Sequence, residues 1–189
     1  DVAGRSNVIH LADYLGIDLS DKKDAVKSIL KELKDLGYGG YQFEGAEGSF
    51  ELIVRRRLGM WKKFFSLEGF RVVVDRRKGR DISSEATIRV RVGDNEEQTV
   101  GEGNGPVDAL NNALRKALER FYPTLEQMRL TDYKVRVLDE RAGTAAAVRV
   151  LITSRDGETV WGTVGVSENV IEASWKALVD SIEYKLLKD

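Results

Sequence analysis

Apolar residues recur at helical spacing through the amino-terminal third of the chain. The apolar positions of the first two stripes are Val8, Leu11, Ala12, Leu15, Ala25, Ile29, Leu30 and Leu33. Gly16 is a stop signal after the first stripe, and Ser20 is a favourable N-cap residue before the second. A third amphipathic stretch runs from about Glu47 to Leu58. The pattern therefore predicts three helices, the second starting just after Ser20.

The pattern then changes to alternation of apolar and polar residues, which is typical of half-buried strands. Alternation is clear in residues 70–75 and 88–92, and a third strand is predicted to carry residues 98–100. A glycine-rich stretch, Gly101–Pro106, follows. Beyond it, a helical stripe consists of Val107, Leu110, Leu114, Ala117, Leu118 and Phe121. These segments form a predicted strand–strand–strand–helix unit.

The same pattern recurs further along the chain. Residues 67–72 match residues 130–135 at a separation of 63 positions, and residues 116–118 match residues 176–178 at a separation of 60. With the separation of 60 applied from Ala86 onward, the loop between the first two strands is expected to be three residues shorter in the second copy. Matches that keep register across strand, turn and helix indicate an internal duplication.

Each predicted unit alone has one sheet face and one helix, which is too little for a stable core. Two units packed about a pseudo-twofold axis would form one domain of the α+β class. We therefore predict a helical linker subdomain at residues 1–60 and a duplicated βββα domain at residues 61–189. The two repeats are expected at about 64–123 and 127–188.

Composition narrows the function classes. The 189 residues carry a formal net charge of -1, which gives no electrostatic argument for a nucleic-acid or membrane partner. The arginine-rich clusters at 55–57 and 76–80 lack interleaved aromatic residues, so we interpret them as solvated surface. The absence of cysteine excludes disulfides and thiolate sites and is compatible with the cytoplasm. The chain opens at Asp1 without a methionine, which is consistent with a piece of a longer protein.

Candidate catalytic chemistry is sparse. His10 is the single histidine, and on a helical segment such a residue is more often a packing or surface residue than a ligand. A zinc site would need carboxylates around it, and no such spacing is present. No serine has the setting of a nucleophile. We therefore expect no catalytic residue, no metal site and no cofactor in this chain.

The strand-to-helix turn of each copy is the most informative local feature. Gly103 and Gly105 precede Pro106, which suits the first position of a helix. In the second copy Gly165 precedes Ser167, a candidate N-cap. Free amides at a helix start favour an anion such as a carboxylate. The alternative is that these glycines only form the turn.

Longer motifs carry a resemblance to a known family. The stretch Thr99-Val-Gly-Glu-Gly-Asn-Gly-Pro-Val-Asp-Ala109, with Leu130–Asp139 and Val160–Asn169, resembles the regulatory domain of the isopropylmalate and citramalate synthases. Gly39–Leu52 and Ile171–Tyr184 resemble the citramalate branch more than the isopropylmalate branch. The resemblance covers the whole chain.

This resemblance implies a parent acyltransferase with a catalytic (α/β)8 barrel, a helical linker and this duplicated domain. The divalent metal and the acetyl-CoA site would belong to the barrel, upstream of a linker that begins near Asp1. The parent enzyme would condense acetyl-CoA with pyruvate to citramalate on a cytoplasmic route to isoleucine. The domain would form a homodimer and bind isoleucine as a feedback inhibitor at the dimer interface.

The family pattern places three segments around that effector. They correspond to Gly103, Asn104, Gly105, Val107 and Asp108; to Val137, Asp139, Glu140, Ala142 and Ala145; and to Val166, Ser167 and Asn169. We expect helix-start amides to hold the effector carboxylate and Asp108 to hold its ammonium group. Val107, Val137 and Val166 would face the branched side chain. Glu140 stands where the family pattern leads us to expect an aromatic residue.

Three alternatives remain at this point. A leucine-sensing domain of the isopropylmalate branch has the same pattern. A dimerisation scaffold without an effector would need the same fold. An independent enzyme is disfavoured, because no nucleophile or metal cluster is recognisable.

Overall fold

A computed structural model describes residues 2–14, 16, 18–19, 21–138 and 146–189, with the side chains of the first helix described from residue 6 onward. The linker helices are α1 (Val2–Tyr14), α2 (Lys23–Tyr38) and α3 (Glu47–Arg57). The first unit consists of β1 (Ser66–Asp75), β2 (Ser83–Val92), β3 (Asn95–Gly103) and α4 (Pro106–Leu118). A 3-10 turn (Pro123–Gln127) leads to β4 (Arg129–Val137), β5 (Val148–Asp156), β6 (Thr159–Ser167) and α5 (Val170–Lys188). The predicted α+β class is confirmed.

Each unit is an antiparallel three-stranded meander with its helix on one face. The strand orders are β1-β2-β3 and β4-β5-β6. Equivalent rows of neighbouring residues are Phe70, Ile88 and Thr99 in the first sheet and Tyr133, Ile152 and Thr163 in the second. The ladder slips at the same place in both sheets, between Leu67 and Gly69 and between Leu130 and Asp132. The shared irregularity supports the predicted duplication.

The separation between the copies differs from the predicted one. The Thr99 hydroxyl donates to the carbonyl of Ala113 at 2.7 Å, and the Thr163 hydroxyl donates to the carbonyl of Ala177 at 2.8 Å. These equivalent pairs are 64 positions apart, so the separation of 60 is wrong by four residues. Four residues preserve the face of a strand and nearly preserve the face of a helix, so the apolar pattern hardly distinguishes the two alignments.

The loop between the first two strands also differs from the prediction. Asp75 pairs with Ser83 across β1 and β2, and the Leu138 amide donates to the carbonyl of Ala147 at the equivalent place. Residues 76–82 therefore correspond to residues 139–146, and the second loop is one residue longer rather than three shorter.

The helix-side faces of the two sheets and their helices form one core. Its fully buried side chains include Ile88, Leu110, Leu114, Leu118, Ile152, Leu178 and Ile182. Burying each such side chain contributes about 1.5–3 kcal/mol relative to leaving it exposed. Phe70 of β1 packs on Trp175 of α5 with ring centroids 5.5 Å apart, so the two units share this core directly.

The starts of α2 and α5 differ from the two predicted N-caps. The N-cap position of α2 is Lys22, which makes no side-chain cap, while Ser20 lies outside the described residues. The side chain of Asn169 caps α5 by accepting from the amides of Ile171 and Glu172 at 2.8 and 3.3 Å. The predicted Ser167 cap is therefore wrong.

Helix α3 anchors the linker to the second unit. Arg56 bonds Asp180 at 3.1 Å and also pairs with Glu183, and the Ser49 hydroxyl donates to Asp180 at 2.7 Å. Burial raises the pKa of Asp180 and of Glu183, while Arg56 acts in the opposite direction. The three linker helices also share a small core, formed by Val8 on α1, Ile29 on α2 and Val54 on α3. The division of the chain at residue 60 stays a prediction.

Candidate functional site

The turn before α4 brings together all five residues predicted for the first segment. Gly103 packs so closely on the helix that a Cβ there would lie 2.3 Å from the amide nitrogen of Ala109. Gly105 is the N-cap residue and Pro106 takes the first helical position, as predicted. Pro106 has no N–H, and the Ala109 amide donates to the carbonyl of Gly105. The N–H groups of Val107 and Asp108, which no side chain caps, are therefore the candidates to bind an anion.

Asp108 already takes part in the turn. Its Oδ2 accepts from the backbone amide of Asn104 at 2.9 Å, and its Oδ1 accepts from the side-chain Nδ2 of Asn112 at 3.5 Å. Asp108 is exposed, and a carboxylate offers about four acceptor sites. It can therefore hold the turn and still pair with an ammonium group.

The turn before α5 is the equivalent place in the second unit. The Ser167 hydroxyl donates to Glu172 and accepts from the backbone amide of Asn169 at 3.1 Å. The hydrogen bond from Ser167 lowers the pKa of Glu172 below its usual value, and the positive charge of Lys176 lowers it further. Because Asn169 occupies the amides at this helix start, α5 is less suited than α4 to hold a carboxylate.

Glu172 is a candidate that the sequence reasoning missed. It stands 64 positions after Asp108, and each of these carboxylates accepts a hydrogen bond from the turn before its helix. The corrected separation between the copies would have found it, since Glu172 then aligns with Asp108.

Val137 and Val166 lie on opposite faces of the second sheet. Val137, Val148 and Ser167 form one row on the helix side, whereas Val166 pairs with Arg149 in the adjacent row. Val137 is 45% exposed and Val166 is 6% exposed. Since successive strand residues point to opposite faces, the two valines do not face the same space. The expectation that both flank one ligand side chain does not fit this geometry.

The second predicted segment is described only in part. Val137 ends β4 and Leu138 follows it. The other predicted members, Asp139, Glu140, Ala142 and Ala145, lie outside the described residues.

An apolar surface borders both turns. On the helix-side faces of β1 and β4, side chains remain 41–50% exposed: Val74, Tyr133, Val135 and Val137. Val74 shares its row with Gly103, and Val137 shares its row with Ser167. We call these four residues the edge patch. Each turn thus adjoins apolar surface that its own helix leaves uncovered.

The described residues offer no constellation of candidate metal ligands. In that part of the chain no three His, Cys, Asp or Glu side chains converge in a way that could hold a metal ion. His10 is exposed on α1. None of the described helices has the length and apolar character needed to cross a membrane.

Comparison with known proteins adds to this geometry. The chain is 54% identical over its whole length to the (R)-citramalate synthase of Geobacter sulfurreducens and 52% identical to that of Aquifex aeolicus. It is 39% identical over 98% of its length to the (R)-citramalate synthase of Sulfolobus acidocaldarius. The chain spans 34–36% of the length of these curated relatives. The family model of the LeuA allosteric (dimerisation) domain matches residues 44–186, and the chain therefore belongs to the LeuA allosteric (dimerisation) domain family.

Proposed function

We propose that this chain is the regulatory and dimerisation region of a cytoplasmic citramalate synthase and that it senses isoleucine. The parent enzyme would be an acyltransferase that joins acetyl-CoA and pyruvate in a separate catalytic part. The observation that carries the proposal is identity of 54% and 52% across the full chain to two (R)-citramalate synthases. Sequence identity over this length supports a shared role, and the family match to an allosteric domain supports regulation.

The edge patch is the proposed contact between two copies. Its four side chains are exposed large hydrophobic residues on the first strands of the two sheets. Apolar patches of this kind on a folded domain commonly mark interaction sites. A twofold dimer would use the same patch on both copies and bury it twice.

The effector would lie where the edge patch meets the turn before α4. Uncapped amides of α4 would hold its carboxylate, and Asp108 would hold its ammonium group. The helix dipole contributes about 0.3–1 kcal/mol at such a site. Burying an aliphatic side chain contributes about 1.5–3 kcal/mol, so contacts with Val107 and with Val74, the edge-patch residue beside this turn, would set most of the selectivity. Val166 would act from the opposite face of the sheet rather than touch the ligand.

The dimer proposal is tested by sedimentation of Val137→Asp beside Val160→Asp. Val160 is 54% exposed, lies outside the edge patch and provides a matched control. We expect the first variant to be a folded monomer at concentrations where the wild type and the control are dimers. Equal dimer content in all three samples would refute the assigned surface.

The effector proposal is tested by isoleucine titration of Asp108→Asn. Removing the carboxylate charge should weaken binding by about tenfold or more, because a hydrogen bond to a charged group contributes about 1.5–3 kcal/mol. Glu96→Asn is a control on an exposed carboxylate of the first sheet, away from both turns. An unchanged affinity in Asp108→Asn would remove Asp108 from the site.

A further inference from the structure

We propose that residues 40–49, here called the strap, form a latch that couples the linker helices to the turn before α5. The identity of the ligand that would act on this latch rests on the function proposed above. The coupling itself rests on contacts between the strap and the second sheet.

The strap covers the open edge of β6. The backbone amide of Val164 donates to the Ser49 hydroxyl at 3.0 Å. Burial raises the pKa of the Tyr41 phenol, and the backbone of Val166 acts in the opposite direction. An uncovered strand edge exposes unpaired N–H groups, so the bond from Val164 to Ser49 satisfies part of this edge.

Gly40 connects three strands of the second unit to the linker. Its carbonyl accepts from the Arg149 guanidinium of β5 at 2.8 Å. A Cβ on Gly40 would lie 2.3 Å from Cδ1 of Leu138 and 3.6 Å from Cγ1 of Val166. Leu138 follows β4 and Val166 belongs to β6. The space beside Gly40 thus borders Val166 of the third predicted segment and Leu138, which follows Val137 of the second.

The bond from Arg149 to Gly40 links a half-buried charge to the strap. Burial lowers the pKa of the Arg149 guanidinium, and Arg136 nearby lowers it further. A desolvated cation depends on the acceptors within its reach, and among the described residues the carbonyl of Gly40 is one of them. Displacing the strap would therefore leave Arg149 without the Gly40 carbonyl.

Val166 is the residue through which the turn and the strap would communicate. Its carbonyl accepts from Lys176 of α5 at 3.0 Å, its Cγ1 lies 3.6 Å from where a Cβ of Gly40 would be, and its backbone opposes the rise in the pKa of Tyr41. The next residue, Ser167, is bonded to Glu172 at the helix start. A ligand that moves Ser167 would move Val166 and, through it, Tyr41.

The first unit shows that the duplicated fold does not need a strap. Glu102 stands where the second unit has Val166, and its carbonyl accepts from Asn112 of α4 at 2.9 Å. Val100, two residues earlier on the same face of β3, is 43% exposed. Val164 holds the equivalent position in β6 and is 1% exposed, so this face is covered in the second unit and open at Val100 in the first.

Amide hydrogen exchange of the ligand-free 189-residue chain tests the coupling directly. Arg149→Met removes the bond to Gly40, and Arg155→Met is the control on the same strand and the same face. We expect exchange of the amides at 164–169 to accelerate by about fivefold or more in Arg149→Met and to stay within about twofold in the control. Equal exchange in both variants would overturn the latch.

A second pair of variants tests the latch even if Arg149→Met does not fold. Gly40 has a φ of 97° and Gly59 has a φ of 70°, so alanine is strained at both, but only Gly40 has neighbours within 4 Å. Gly40→Ala should accelerate exchange at 164–169, whereas Gly59→Ala should not. If both variants behave alike, the strap does not act on β6.

Adding saturating isoleucine separates the latch from the proposed effector. Binding that changes exchange at residues 41–46 in the wild type, with a smaller change in Arg149→Met, supports both. Coupling in the ligand-free variants without isoleucine binding would keep the latch and refute isoleucine sensing. Isoleucine binding with unchanged exchange in the strap would overturn the latch and leave the effector proposal intact.

Discussion

Gly165 provides a sharp test of how α5 packs on β6. A Cβ at this position would lie 2.0 Å from the carbonyl oxygen of Ala173 and 2.9 Å from Cβ of Lys176. The nearer atom belongs to the helix backbone and cannot move by a change of rotamer. Helix α5 would have to recede by about 1.4 Å to restore the 3.4 Å that separates strained from ordinary contact. Gly165→Ala therefore forces the helix away from its sheet.

The expected cost follows from two opposing effects. Overpacking of this kind costs about 1–3 kcal/mol. Replacing glycine by alanine at a compatible site stabilises by about 0.4–1 kcal/mol through the unfolded state. The overlap is large, so we expect a net loss of about 1–3 kcal/mol in the free energy of unfolding for Gly165→Ala.

Urea unfolding monitored by tryptophan fluorescence measures this loss, because Trp161 lies on β6 and Trp175 on α5. Gly69→Ala is the control, since a Cβ there meets nothing within 4 Å. Gly105→Ala is equally uncrowded and should also be tolerated, although a separation of 60 would equate Gly105 with Gly165. Equal stability of Gly165→Ala and Gly69→Ala would refute the close packing and the corrected register.

Two further predictions concern stability. Asn169→Ala should lower the free energy of unfolding by about 1 kcal/mol through loss of the α5 cap, whereas Asn104→Ala, whose side chain does not cap α4, should change it little; equal losses in urea unfolding would contradict the capping role. Burial raises the pKa of Asp180 in the folded state, so its contribution to stability is present below its unfolded pKa of about 4 and is lost as pH rises through the folded pKa. Asp180→Asn should reduce the fall of the free energy of unfolding with rising pH, measured by unfolding curves at several pH values. An unchanged pH dependence would exclude Asp180 as the cause of that fall.

The local pattern of apolar and polar residues predicts most of the helices and strands. Alternation in residues 70–75 and 88–92 located β1 and β2, and helical spacing located α3 to within one residue of its end. These signals are strong because each element buries one face. The main error is the predicted separation between the copies. A shift of four residues keeps a strand residue on the same face and moves a helix residue by about one turn, so the apolar pattern does not reveal the shift.

The site was harder to predict for two physical reasons. The turn before α4 was identified correctly because glycine and proline mark it locally. The expectation that Val166 faces the ligand rests on the family resemblance, which does not give the face of β6 on which this residue lies. The strap could not be predicted, because the contacts of Gly40 and Tyr41 with β5 and β6 join residues more than a hundred positions apart.

Calorimetric titration of the folded dimer with L-isoleucine and, in parallel, with L-leucine tests the central claim most directly. The two ligands differ in the position of one methyl group, so the wrong ligand leaves one part of the pocket unfilled, and a missing methylene in an apolar pocket is worth about 1–3 kcal/mol. We expect saturable binding that favours isoleucine by about tenfold or more. Tighter binding of leucine, or no saturable binding of either ligand to a dimer shown to be folded, would contradict it.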